Sequence, residues 1–431
     1  MNPEPIYLDH AATTPLAPEV LKAMLPFLQE EFGNAGSIHS KGQSAKNAIE
    51  KARRDVAEIL WCEPEEIIFT SGGTESNNLA LHGVLETLSP RPVLRNNGKR
   101  RSKNTHLIIS EIEHPAILHA AENLKRNGIE LTKISANKNG IISVEDVGKA
   151  IQPNTKLISL MLANNEIGTI QPIREIGKMI QKINQESKTK NQELFFHTDA
   201  VQAGGILNLD TRHLKVDLLS LSAHKFYGSK GTGILFVKKG VRLSPQILGG
   251  GQEHGLRAGT ENVAGIVGCA KALKLAENSR KKEFTKLEKL RDYFVEKILA
   301  EIPRVRLNGD SKNRLPGNTN FSFFGIEGES ILLRLDFEGI AASSGSACAS
   351  GSLEPSHVLA ALKIPHKWLH GSVRFTLGKS TTRENLDFTI RKLKKIVSDL
   401  RTLSPLEGKL FLLHPRHGES NCSENSGKIL E

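Results

Sequence analysis

Cysteine and tryptophan are scarce, with four Cys and two Trp in 431 residues. Cys62, Cys269, Cys348 and Cys422 show no C-x-x-C or paired spacing, which excludes a disulfide-stapled scaffold and gives no metal site. No apolar run is long enough to span a bilayer. The opening Met1-Asn2-Pro3-Glu4-Pro5-Ile6 has neither an apolar signal core nor an Arg-rich presequence, so the cytoplasm is the expected compartment and no membrane partner is expected. Neither a Gly-Lys-Ser/Thr phosphate loop nor a G-x-G-x-x-G fingerprint occurs, which argues against the common nucleotide-binding motifs. Aromatics make up only 5% of the chain and do not interleave with its basic stretches. The net charge of +11 therefore does not read as a stable nucleic-acid surface. Much of the excess lies in Arg91 to Lys103, a solvated loop by composition, and in Lys271 to Lys289, whose alternating charges suit an exposed helix.

The chain is long enough for two domains. Strand-like runs at Glu66 to Phe69, Leu107 to Ser110, Leu157 to Met161, Leu194 to Phe196, Leu218 to Leu221 and Gly233 to Val237 alternate with helical stretches. That alternation predicts an α/β fold with a mainly parallel sheet. After Asn262 the pattern changes to a long helix from Gly265 to about Ala300. Short strands follow around Asn320 to Phe323 and Val373 to Thr376, with a closing helix from Arg383 to Leu400. These read as a smaller α+β domain. Residues 403–431 read as a polar tail.

Three features point to chemistry. Lys225, in Ser222-Ala223-His224-Lys225, follows a buried strand and precedes a glycine-punctuated stretch, a placement that presents an amine to an aldehyde cofactor. Asp199 ends Leu194-Phe195-Phe196-His197-Thr198-Asp199, at the carboxyl end of a strand, where open α/β sheets put their ligands. A carboxylate there can keep the ring nitrogen of pyridoxal phosphate protonated, and it can equally cap the next segment. The small-residue turn Ser71-Gly72-Gly73-Thr74-Glu75 sits between a strand and a helix expected over Ser76 to Leu85, where backbone amides and the helix terminus favour a phosphate.

These residues, together with Glu113-His114, Ala163-Asn164-Asn165-Glu166-Ile167-Gly168, Arg257-Ala258-Gly259-Thr260 and Ser343-Ser344-Gly345-Ser346-Ala347-Cys348, resemble the pyridoxal-phosphate-dependent cysteine desulfurases of the aminotransferase class V family. The resemblance runs from Tyr7 to about Leu406. The small-residue loop from Ser343 to Ser352 is similar to that of the nitrogen-fixation and housekeeping iron-sulfur assembly group. The resemblance implies a fold-type I transferase with a seven-stranded, mainly parallel sheet. It implies a large domain over 15–262 and a small domain from 1–14 and 263–402 that carries the cysteine loop 343–352.

The same resemblance implies the roles. Lys225 carries the cofactor and moves the α-proton, His114 stacks on the ring and shuttles protons, and Cys348 takes sulfur from L-cysteine as a persulfide, releasing L-alanine. Gly73, Thr74, Ser222 and His224 hold phosphate. Asn165 and Gln202 contact the ring, and Thr260 reaches the phosphate of a second subunit, which implies a homodimer. Asn34 and Arg374 are the candidates for the substrate carboxylate, with a structural ion pair as the alternative for Arg374. An iron-sulfur scaffold or a sulfur-carrier protein is the expected acceptor. A selenocysteine lyase, another β-lyase, or a non-catalytic relay platform are the rival readings. For Cys62 and Cys269 a buried apolar role is expected. Three departures from the family pattern stand out: Ala35 occupies a place where proline is common, Ala223 one where glycine is more familiar, and the C-terminal tail does not resemble the segment through which housekeeping members dock their iron-sulfur scaffold.

Overall fold

The computed structural model describes residues 5–88, 105–186, 193–344 and 355–403. Strand β1 (Ile6–Tyr7) opens it. Strands β2 (Ile67–Thr70), β3 (His106–Ser110), β4 (Glu130–Ile134), β5 (Thr155–Ser159), β6 (Phe195–Asp199), β7 (Leu218–Ser222) and β8 (Gly233–Val237) form a seven-stranded sheet in the order β2-β8-β7-β6-β5-β3-β4. Only β8 runs against its neighbours, pairing antiparallel with β2 and β7. The other pairs are parallel, so every strand except β8 brings its carboxyl end to one edge.

The α/β class and the mainly parallel sheet expected from the sequence are what the chain adopts. Two details differ. β6 continues through Asp199, which still pairs with Ser220, so the carboxylate is fixed by the sheet itself rather than by a loop. β4 was not legible: it is an edge strand, Glu-Leu-Thr-Lys-Ile, with Glu130 and Lys133 exposed, and charged edges blunt the apolar signal that marks inner strands.

Beyond the sheet, β9 (Val305–Leu307), β10 (Asn318–Phe323), β11 (Ile340–Ala341) and β12 (Ser372–Thr376) complete the strands. β12-β10-β9 form an antiparallel sheet, while β1 pairs in parallel with β11. A helix over Val263–Glu301 is rooted in two cores. Ala264, Ile266, Leu273 and Ala276 pack with one face of the large sheet, whereas Leu287, Phe294 and Ile298 pack under the small one. There Phe294 meets Phe375 and Phe321 edge-on, with ring centroids 5.4 and 6.1 Å apart. The closing helix runs Arg383–Leu403. Among the described residues no helix is long and apolar enough to cross a membrane. The basic loop from Arg91 to Lys103, Cys348, Cys422 and residues 404–431 lie outside the described residues.

A buried ion pair ties the helix Ser40–Leu60 to the segment before Thr260. Arg53 donates through both terminal nitrogens to Glu253, at 2.9 and 2.8 Å, and also to the Ile67 carbonyl at 2.5 Å. Glu253 in turn accepts from the Phe69 amide at 2.8 Å. Both side chains are only 4% exposed, so neither charge can fall back on water. Arg53→Ala is expected to strand the Glu253 carboxylate and to lower unfolding free energy by about 3–5 kcal/mol. Urea denaturation of the wild type and the variant measures it.

Candidate active site

The residues singled out in the sequence meet above the carboxyl edge of the large sheet. A cavity of about 770 Å3 is lined there by Gly73, Thr74, His114, Asn165, Asp199, Gln202, Ser222, His224, Lys225 and Arg374. They arrive from the ends of five strands of the large sheet, with Arg374 added from β12. Gly73 follows β2, His114 follows β3, Asn165 follows β5, Asp199 ends β6, and Ser222 ends β7. Asn34 and Thr260 are exposed and do not line the cavity. Asn34 turns its side-chain oxygen to the Gly36 amide at 2.9 Å, and Thr260 lies in the loop anchored by Glu253 and by Arg257, which pairs with Glu75.

The cradle expected at Ser71 to Glu75 is tighter than a turn. The helix begins at Gly73 itself and runs to Leu88, so the Gly73 and Thr74 amides are the unpaired first donors of a helix terminus. Glycine is required at Gly73: a Cβ there would lie 2.6 Å from a methyl of Val201. Gly233, at the start of β8, lets Gly72 approach from the other side, where a Cβ would come within 2.6 Å of the Gly72 Cα.

Lys225 ends a single helical turn, Ala223–Lys225, directly after β7. Its Nζ donates to the carbonyls of Ala11 and Ala12 at 2.5 and 2.8 Å. The amine is therefore aimed by the N-terminal segment, which is itself held to the lysine turn by Thr14, whose amide and hydroxyl both donate to the His224 carbonyl at 2.9 Å. The turn accepts Ala223 because Gly228 faces it. The Gly228 amide donates to the Ala223 carbonyl at 2.9 Å, and a Cβ on Gly228 would sit 2.8 Å from that of Ala223.

Asp199 is 6% exposed and accepts from Asn77 at 2.6 Å and from the Val201 amide at 3.0 Å. The capping role and the cavity-facing role thus coexist. Asn77 escaped the sequence reading, although its place four residues after Gly73 on the same helix puts both on one face. Beneath Asp199, His197 bridges the Ser159 and Ser220 hydroxyls at 2.8 and 2.9 Å, and complete burial pushes its pKa down to about 3.

His114 caps the helix Pro115–Arg126, its Nδ1 accepting from the Ala116 amide at 3.1 Å, which places the ring proton on Nε2. Burial lowers its pKa, with the Asp199 charge opposing and Lys225 adding to the shift. His224 is likewise pushed down to about 4, by burial and then by Lys225 and Lys230. Both imidazoles are neutral at pH 7.

Arg374 is buried on β12 and donates to Asp9 at 2.8 Å and to the Asn165 carbonyl at 2.8 Å. The ion pair and the cavity position belong to one side chain. Gln202 donates to the Ala11 carbonyl at 3.1 Å. Further cavity residues with no role in the sequence reading come from the far side. Ser356 donates to Glu166 at 2.5 Å, and a His357 ring nitrogen bonds the Glu113 carbonyl at 2.9 Å. Ser343 pairs through its backbone with Arg374. The chain thus leaves the described structure after Ser344 and re-enters it at Pro355, both next to cavity-lining groups, on either side of Cys348. Cys269 is buried as expected. Cys62 is half-buried against the same core, and burial raises both thiols to about 12.

The family described as aminotransferase class-V matches residues 6–388. A cysteine desulfurase IscS from Dictyoglomus turgidum is 50% identical over 400 residues, covering 93% of this chain and 96% of the relative. The chain belongs to the aminotransferase class-V family and, within it, to the cysteine desulfurases. Among solved structures, a NifS-like protein superposes with a TM-score of 0.82 at 35% identity, covering 92% of this chain and all of the other. SspA, solved in complex with cysteine, does so at 0.73, with 35% identity over 86% of this chain and 98% of its own.

The depressed histidine has a measurable signature. Below pH 6.5 the unfolded chain protonates His197 while the native protein does not, so stability falls as pH drops from 6.5 towards 3. His197→Asn is expected to remove about one proton, roughly 1.4 kcal/mol per pH unit, from that slope. Urea denaturation between about pH 4.5 and 6.5 reads it out.

Proposed function

We propose that this cysteine desulfurase uses pyridoxal phosphate in the cavity above the sheet to convert L-cysteine to L-alanine, placing the removed sulfur on Cys348 as a persulfide. The observation that carries the reading is the convergence of an amine, a buried carboxylate and a helix terminus in one cavity. The residues present fit the cofactor. A bare helix start at Gly73 and Thr74, with Ser222 and His224 beside it, suits a phosphate. Asp199, held by Asn77 and Val201, suits a pyridinium nitrogen, and the neutral ring of His114 suits a stacking face. When bound, the cofactor supplies an electron sink for the α-carbon of the amino acid.

The protein's own groups do the rest. Lys225 would hold the cofactor through its aldehyde, and its Nζ is the base that takes the α-proton. The Asp199 carboxyl would hold a proton on the ring nitrogen. His114, with its proton on Nε2, donates or receives a proton at the face of the cavity. The thiolate of Cys348 attacks the sulfur of the bound amino acid. The carbon-sulfur bond breaks, a sulfur-sulfur bond forms, the bonding electrons stay with the carbon fragment, and protonation gives alanine. Arg374, in reach of the cavity, binds the substrate carboxylate by exchanging its contact with Asp9. Asn34 lies outside this cavity and contributes only if its loop moves or a second subunit brings it in.

The working unit is a homodimer. The helix Pro18–Gln29 exposes Leu21, Leu25 and Leu28 along one stripe, and Phe32 and Leu248 are 74% and 80% exposed nearby in sequence to this helix and to Thr260. A second copy covering these residues would bring Thr260 towards its partner's phosphate cradle. An iron-sulfur scaffold or a sulfur-carrier protein is the acceptor class for the persulfide, and the cytoplasm its compartment.

Incubation with L-cysteine and a reductant is expected to yield sulfide and alanine in equal amounts. Cys348→Ala should lower alanine formation by about 100-fold or more while the visible absorbance of bound cofactor stays. A β-lyase would instead keep full rate without Cys348, and a relay platform would show no such absorbance in the wild type. Leu25→Glu with Leu28→Glu should shift the sedimenting species from dimer to monomer.

A further inference from the structure

Glu113 precedes His114, and no part of the reaction above uses it. Its side chain is 0% exposed. The Ser110 hydroxyl at 2.5 Å and the Met161 amide at 3.0 Å both donate to Oε1, while among the described residues Oε2 is buried with no hydrogen-bond partner. A buried carboxylate with one oxygen bare costs far more than a neutral acid whose hydroxyl lacks a partner. Among the described residues, the groups that face it do not supply a compensating cation. Asp199 contributes like charge from β6, and the His357 ring on the far side bonds the Glu113 main-chain carbonyl rather than its carboxyl. Burial is the largest influence on this carboxyl and the Asp199 charge adds to it, while the Ser110 and Met161 bonds oppose; the net result is a pKa of about 8.

The position explains what such a group does. Its carboxyl joins the end of β3 to the segment after β5, and Asn164 returns the connection by donating to the Ile112 carbonyl at 2.9 Å. The first of these loops carries His114 and the second carries Asn165. We infer that Glu113 is a positioning residue that works as a neutral, protonated acid, bracing the loops that carry His114 and Asn165 while keeping a second negative charge away from Asp199. This rests on the desulfurase reading for its consequence in catalysis, though not for the protonation state itself.

Two measurements separate the two. In the full-length protein at pH 7, infrared difference spectra between wild type and Glu113→Gln should show the carbonyl band of one protonated carboxylic acid in the wild type, and this band should bleach as pH rises through about 8. The native state holds this proton above the ordinary carboxyl range, so wild-type melting temperature should fall more steeply than that of Glu113→Gln as pH rises from 4.5 to 8. In turnover of L-cysteine, Glu113→Ala should lose about 10-fold or more in kcat, and Glu113→Gln, which keeps the acceptor and the neutral charge, should recover most of that loss and fall less than the wild type above about pH 8. Absence of the acid band at pH 7, or a Gln variant as impaired as the Ala variant with both folded by circular dichroism, overturns the inference. If the band is present but no alanine forms in the wild type, the desulfurase reading fails and the protonated acid stands.

Discussion

The close approach of three strand ends is the constraint on which the site depends. β8 runs against β2 and β7 and starts with Gly233, so that Thr70, Ser222 and the Gly72 backbone can crowd around a residue with no side chain. Any Cβ there would push Gly72 and Thr70 away. The helix terminus at Gly73 and the lysine turn after Ser222 would then no longer stand side by side. The amine and the anion cradle are therefore one construction, made by backbone packing before any polar side chain is counted.

Around this frame the charges are few and separated. Asp199, Glu166 and the Asp9–Arg374 pair line or border the cavity, and Lys225 donates to the carbonyl dipoles of Ala11 and Ala12. His114, His197 and His224 are kept neutral by burial, so the floor offers dipoles and tautomers instead of competing charges. In a low-dielectric setting that economy gives weight to the Asp199 carboxyl in the cavity, as the proposed protonation of a ring nitrogen would require.

Much of this was legible in the sequence because it is local. Strand, small-residue turn and helix follow one another at Ile67 to Leu88, and Ser222 to Lys225 sits where a strand stops, so composition and order alone gave the elements and their site-bearing ends. The parts that were not legible are made of long-range contacts. Nothing near Ala11 and Ala12 announces that their carbonyls aim an amine more than two hundred positions away, nor does Ser356 announce its bond to Glu166. Asn77 lies one helical turn after Gly73, a relation hidden where the small-residue turn masks the helix start. The edge strand β4 hid because solvent, not a neighbour, fixes half of its pattern.

The 39-residue helix from Val263 to Glu301 places its Ala276 side in one core and its Leu287 side in another. Each residue along an α-helix turns the next by about 100°. A single insertion between those two stretches would therefore swing Phe294 out from under the small sheet while Leu273 stayed seated. Length in that interval is thus tied to rotational phase.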